Sequence, residues 1–410
     1  MLSKVDNERM CRVEGDAPMG GLLRDHYWIP AANSEKLVAG GKPLRCRLVG
    51  RDYVLFRTHK GVLGCFDERC PHRGVSLALA RSEDEALRCI YHGWKFGVDG
   101  RVLEVPTLNE RQEEFRSKVR LNSHSVRETA GMIWVYVGSA KTPPPFPAFE
   151  FTSLPPAQCV PFRQTLPFNW VQDLEGTMDS SHLSMLHSSY FSTLALQGGQ
   201  AMLMKHDKSP RYEVEKQPYG YRYAAFRDLP DGREYARINN FAMPWYAFIC
   251  PGDAPDGDRT AIFGVPVDDT HTLHWMVRYN PHKPVTSQYL THFSDPDNWP
   301  PLPPGGPEDN WGQDRYLMEK KGHWSGFKAI ATEDFAVGAS QGAIADRSLE
   351  QLCATDIAVV HLRRLLLDSV EEYVSGKVPT LANHAAIDYP DIRPVGDALR
   401  LGQDWHELKV

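Results

Sequence analysis

The stretch Cys70-Pro71-His72-Arg73-Gly74 is followed, further along the chain, by Cys89-Ile90-Tyr91-His92-Gly93. Each block sets a thiol beside an imidazole, C-x-H in one and C-x-x-H in the other, and each ends in a turn-forming glycine. Two such donors per block could hold a tetrahedral zinc ion, or a two-iron, two-sulfide cluster with the cysteines on one iron and the histidines on the other. Zinc fingers usually group cysteine with cysteine and histidine with histidine. Here each loop brings one of each, so two loops can reach two irons from opposite sides, and the cluster is the expected occupant. Cys11, Cys46 and Cys65 have no such partners and read as small buried apolar residues.

A second constellation lies in NWVQDLEGTMDSSHLSMLHSS, where Glu175, Asp179, His182 and His187 form E-x3-D-x2-H-x4-H. On a helix Asp179 and His182 would share a face. A step of five residues carries His187 well off that face, so the helix is expected to widen or stop after His182. Two histidines and one carboxylate are a donor set that can hold a metal ion on one side and leave its other side open. The residue pattern alone leaves that carboxylate open among Glu333 and Asp334 in ATEDFAVGASQG, Asp346 and Asp356. His271, His274, His323 and His361 are expected to make ordinary hydrogen bonds.

These donors need elements to hold them. The first part of the 410-residue chain alternates apolar and polar residues in short runs such as DYVLFRTHKGVLGCF and GMIWVYVG, broken by Gly and Asp turns, which predicts a small all-β unit. The proline-rich stretch KTPPPFPAFEFTSLPPAQCVPF excludes helix or central strand and reads as a connector. The expected domains are 1–150 and 151–410. In the second, a helix over 169–190 precedes strand-like runs such as GYRYAAFRDL and HTLHWMVRY, and TDIAVVHLRRLLLDSVEEYVSG has helical periodicity. The fold class is α+β. With a net charge of -6 and no basic cluster, neither nucleic acid nor an anionic membrane is an expected partner. No apolar run is long enough to span a bilayer, the N-terminus lacks a signal-peptide core, and the sparse cysteines suit a reducing compartment, so a cytoplasmic location is expected.

CPHRGVSLALA and RCIYHGWKFGVDG resemble the Rieske domain of aromatic-ring hydroxylating oxygenases, and the Asp179–His187 segment is similar to the iron motif of the same family. Val75 and Tyr91 stand where respiratory-chain Rieske proteins carry two further cysteines, which points to the oxygenase branch. The resemblance implies an N-terminal all-β Rieske domain followed by a helix-grip-like catalytic domain of antiparallel sheet and covering helices. Cys70, His72, Cys89 and His92 would then hold a [2Fe-2S] cluster, and His182, His187 and Asp334 a mononuclear Fe(II). Asp179 would link a Rieske histidine of one subunit to an iron-ligating histidine of the next, in a homo-oligomeric ring, trimer or hexamer. A separate NADH-dependent reductase carrying flavin and an iron–sulfur centre would supply electrons. CRVEGDAPMGGLLRDHYWIP and VDDTHTLHW resemble the phthalate dioxygenase-like branch, which implies cis-dihydroxylation of an aromatic carboxylate (phthalate-like, halobenzoate or phenoxybenzoate). The alternative is O-demethylation or monooxygenation of a methoxybenzoate. An anionic substrate needs cations in an apolar pocket, and Arg211, Arg237 and the hydroxyl of Ser180 are the expected contacts.

Overall fold

The computed structural model describes residues 2–195, 207–250, 257–286, 295–400 and 402–408. The chain divides into two compact units, Leu23–Phe146 and a discontinuous one made of Met1–Leu22 with Pro147–Val410. This corrects the expectation that everything before residue 150 forms one domain. The helix Lys4–Cys11 buries Asn7, Met10 and Cys11, and Asn7 Nδ2 donates to the carbonyl of Ala345 at 2.9 Å. The segment looks like a polar extension in sequence because its tertiary tie is a buried asparagine rather than an apolar stripe.

Three small antiparallel sheets make up the Leu23–Phe146 unit, with strands that follow the short alternating runs. One is built from Ile29–Asn33, Met132–Tyr136 and Ser125–Thr129; another from Leu44–Leu48, Arg51–Arg57 and Leu63–Asp67; the last from Arg81–Glu83, Ala86–Arg88, Lys95–Gly97 and Val102–Glu104. Val54, Phe56, Phe66, Leu87, Trp94 and Phe96 share one buried cluster with Cys70 and Cys89. Both thiols are therefore anchored in the core while their loops reach the surface.

The second unit is built on an antiparallel sheet of eight described strands. Its spatial order is Cys159–Leu166, Thr272–Tyr279, Arg259–Pro266, Tyr246–Ile249, Glu234–Ala242, Gly220–Asp228 and Arg211–Gln217, with Val395–Ala398 also paired to Glu234–Ala242. The helix Trp170–Met178 starts at Asn169, whose side chain accepts from the Val171 N–H; it lies against the sheet and buries Trp170, Val171, Leu174 and Met178. Behind it lies the longer helix Ile357–Val374, which buries Leu362, Leu366 and Val370 at helical spacing. Glu175 is locked between Arg347 and Arg363, fixing the helix in place. Among the described residues no helix is long and apolar enough to cross a membrane.

Candidate functional site

The two Cys/His loops of the first unit have the same hydrogen-bond scheme. The Cys70 N–H donates to the carbonyl of Val75 and the Gly74 N–H to that of Cys70; the Cys89 N–H donates to Trp94 and the Gly93 N–H to Cys89. Each loop turns on a left-handed glycine, Gly74 at φ 72° and Gly93 at φ 74°, a conformation that glycine adopts without steric cost. His72 and His92 meet with ring centroids 4.4 Å apart, and His72 stacks on Trp94. Burial pushes the Cys70 thiol up to about 11, opposed by backbone N–H groups of His72 and Arg73 that point at its sulfur, with Cys89 adding to the rise. His92 Nδ1 is buried without a hydrogen-bond partner among the described residues. Two buried sulfurs, an orphaned imidazole nitrogen and a second imidazole beside it form a donor set that fits a [2Fe-2S] cluster, whose charge would lower the thiols into thiolates.

In the second unit the helix ends earlier than the sequence suggested. It stops at Met178, and Asp179 is extended (φ -77°, ψ 127°). The Asp179 carboxylate then accepts from the N–H and hydroxyl of Ser181 and from the N–H of His182, closing a local turn that competes with helix continuation. Asp179 and His182 therefore do not share a helix face, which corrects that expectation. A short 3-10 turn, His182–Ser184, follows, and a new helix begins at Ser188. The interruption swings His187 back toward His182, so their rings lie 5.0 Å apart at 82°.

Asp334, on the helix Ile330–Ser340, completes the group. Its Oδ1 is 3.1 Å from His187 Nε2 and 3.7 Å from His182 Nε2, and the three ligand atoms all lie within 4.8 Å of one another. Glu333 approaches His187 from the other side, at Nδ1 (2.5 Å). Burial alone would lower the His187 imidazole, but Asp334 and Glu333 outweigh it and hold it up at about 9, the mark of a pocket that attracts a cation. Two histidines and one carboxylate in this arrangement fit a mononuclear non-haem iron. Asp346 and Asp356 lie elsewhere, Asp346 accepting from Ser348 and Asp356 from the Cys353 N–H.

Asp179 Oδ2 lies 3.2 Å from His182 Nδ1, and the side chain keeps 22% of its surface exposed. Burial opposes its ionisation, yet the His182 ring and Ser181 hold its carboxyl down to about 2.

Of the expected substrate contacts, Ser180 and Arg237 come together and Arg211 does not. Ser180 is fully buried; its Oγ is 3.3 Å from Arg237 Nη1. Arg211 is 53% exposed and paired with Glu213 and Glu234 on the sheet's edge, so its charge is spent at the surface. The sequence reading missed Arg227, which is fully buried and donates through Nη2 to the Ser180 carbonyl at 2.6 Å, while Nε and Nη1 have no hydrogen-bond partner among the described residues. Arg227 and Arg237 project diagonally from the same sheet face, since Ala225 pairs with Arg237 and Arg227 with Tyr235. Burial lowers the Arg227 guanidinium, and the neighbouring Arg237 adds to it. A visible signal was the run Tyr221, Tyr223, Ala225, Arg227, in which an arginine continues an apolar face at strand spacing.

Comparison with known proteins adds to this geometry. Residues 27–124 match the family described as Rieske [2Fe-2S] domain, and residues 135–410 match that described as LigXa C-terminal domain like. The chain is 37% identical to the phthalate 4,5-dioxygenase oxygenase subunit of Pseudomonas putida, over 92% of this chain and 88% of that one. It is 35% identical to the 3-chlorobenzoate-3,4-dioxygenase oxygenase subunit of Comamonas testosteroni, over 91% and 90% respectively. Its fold is similar to the terminal oxygenase of carbazole 1,9a-dioxygenase from Nocardioides aromaticivorans IC177, with a TM-score of 0.61 at 18% identity over 90% of this chain and 99% of that one.

Proposed function

Because this chain belongs to the Rieske aromatic-ring oxygenases, whose oxygenase components carry a [2Fe-2S] cluster and a mononuclear iron, we propose that it cis-dihydroxylates an aromatic carboxylate. The substrate would be phthalate-like, a halobenzoate or a phenoxybenzoate. In that reaction O2, two electrons and two protons join the ring: the O–O bond breaks, two C–O bonds form on adjacent carbons and the product is a cis-dihydrodiol. The electrons come from a separate NADH-dependent reductase carrying flavin and an iron–sulfur centre.

One observation carries the choice of an anionic substrate. Arg227 and Arg237 are both buried beside Ser180, and neither is paired with a carboxylate among the described residues. A buried cation without a counter-charge is costly, and a ligand carboxylate offers the planar pair of acceptors that a guanidinium fork suits. Both named relatives act, by their names, on an aromatic acid, which supports the same choice.

Cys70, Cys89, His72 and His92 hold the cluster in this proposal, and His182, His187 and Asp334 the iron. When bound, the cluster relays single electrons and the iron activates O2. Asp179 fixes the His182 ring through Nδ1, and its partly exposed carboxylate would take a ring N–H from a Rieske histidine of a neighbouring subunit, in a trimeric or hexameric ring.

A turnover screen with a matched reductase tests this proposal. Phthalate isomers, halobenzoates and phenoxybenzoates under 18O2 are expected to yield a cis-dihydrodiol carrying two labelled oxygens. Formaldehyde released from methoxybenzoates, with no diol from the other acids, would replace dihydroxylation by O-demethylation. Turnover of neutral arenes in preference to every acid would overturn the carboxylate assignment.

A further inference from the structure

Each of the two histidines that face Asp334 with Nε2 has its Nδ1 against a different carboxylate. His182 Nδ1 meets Asp179, and His187 Nδ1 meets Glu333. We propose that Glu333 is the positioning residue of the iron site: it fixes the ring and tautomer of His187 and supplies the buried negative charge behind it. The inference rests on the assignment of His182, His187 and Asp334 as iron ligands.

The two carboxylates are not equivalent. Asp179 is 22% exposed, whereas the side chains of Glu333 and His187 are each 1% exposed. Glu333 has no rotational freedom, because its Oε2 faces His187 and its Oε1 accepts from the hydroxyl of Ser325. Ser325 Oγ in turn accepts from the Phe327 N–H at 3.2 Å, and the adjoining Trp324 N–H donates to Ser189 Oγ at 2.8 Å. The loop carrying Ser325 is thus tied both to the helix bearing Glu333 and to the one that follows His187.

Glu333 and Asp334 are consecutive on the helix Ile330–Ser340, so their side chains diverge by about 100°. That divergence lets one turn of helix reach both edges of a single imidazole, Asp334 at Nε2 and Glu333 at Nδ1. With Nδ1–H donated to Glu333, the lone pair of His187 lies on Nε2, toward Asp334 and His182. A carboxylate in this position raises the donor strength of the imidazole. It also places a third carboxylate, beside Asp334 and Asp179, around the two imidazoles. Sequence reasoning weighed Glu333 only as a rival ligand; the geometry gives it the neighbouring role.

The test uses the full chain with its cluster intact, after a chelator has removed the mononuclear ion, titrated with Fe(II) or Co(II). Glu333→Gln keeps the shape but removes the charge. It is expected to weaken metal affinity about 10- to 100-fold and to shift the ligand-field absorption of the Co(II) form. Ser325→Ala retains the carboxylate but frees it, and is expected to give a smaller loss with a shift in the same direction; this variant also serves if the Glu333 substitution fails to fold. Wild-type affinity and an unshifted Co(II) spectrum in either folded variant would overturn the proposal. His182→Ala provides the separate control: if it binds metal as tightly as wild type, the iron-site assignment itself fails, whereas loss of binding there beside unchanged Glu333→Gln removes only the positioning role.

Discussion

Arg347 grips Glu175 through two guanidinium nitrogens, Nε and Nη2, each 2.8 Å from a carboxylate oxygen, and Arg363 Nε reaches the same carboxylate at 2.6 Å. Arg347 Nη1 also donates to Asn7 Oδ1, so one buried cluster joins the N-terminal helix, the helix leading to Asp179, and the helix Ile357–Val374. Replacing Arg347 with Ala removes the two-pronged partner of buried Glu175, leaving it to Arg363 alone, and also cuts the tie to Asn7. A loss of about 3–5 kcal/mol is expected, read as a lowered urea midpoint. An unchanged midpoint would show that the cluster does not anchor the iron-bearing segment.

The same carboxylate gives a pH signature. Burial alone would raise the Glu175 pKa, but Arg347 and Arg363 outweigh it and hold the group below its ordinary value. A carboxyl lowered on folding contributes stability in full above its unfolded pKa of about 4.3 and loses it as pH falls through the folded value. The wild-type urea midpoint should therefore hold a lead over that of Glu175→Gln near neutrality, and the lead should shrink below about pH 4. A gap that widens on acidification would contradict this sign.

Asp179 is expected to act on rate rather than on loading. In Asp179→Asn, His182 loses its charged partner while cluster absorbance and iron content persist, and substrate-dependent O2 consumption should fall by at least about 10- to 100-fold. Stopped-flow oxidation of the reduced cluster checks where the loss falls. Full activity with both centres loaded would remove the proposed bridge between subunits.

The three arginines should separate cleanly. Arg237→Ala and Arg227→Ala are expected to weaken aromatic-acid binding by about 2–5 kcal/mol, seen as a raised KM. Arg211→Ala should behave as wild type because its charge already meets Glu213 and Glu234. Equal effects from all three would mean that burial, here, does not mark the substrate's counter-charge.

Candidate metal donors and candidate substrate contacts differ in how readily a sequence marks them. Cys70, His72, Cys89 and His92 stand out because a cluster demands those atom types on two short loops; strand alternation gave the strand-rich runs, and the antiparallel sheet came from the resemblance. His182, His187 and Asp334 were proposed by type and resemblance, and the fold brings the three together. The point where the helix stops was not, because it depends on the Asp179 side chain choosing Ser181 over the next helical turn. Arg211 and Arg227 are chemically identical in a sequence. Only the tertiary fold shows that one has Glu213 and Glu234 at hand while the other faces Ser180. The place of the N-terminal helix was equally hidden, since its hold on Arg347 is a contact between residues 340 positions apart.

That separation has a consequence for biosynthesis. Leu23–Phe146 is an unbroken stretch, so its sheets can close while translation is still under way. Asn7 must remain without Arg347 until the 340 residues that separate them have been made, and Arg9 waits longer still for Glu371. On the ribosome, the electron-relay module is therefore expected to mature ahead of the oxygen-handling one, which stays open at its N-terminal seam until the helix Ile357–Val374 emerges.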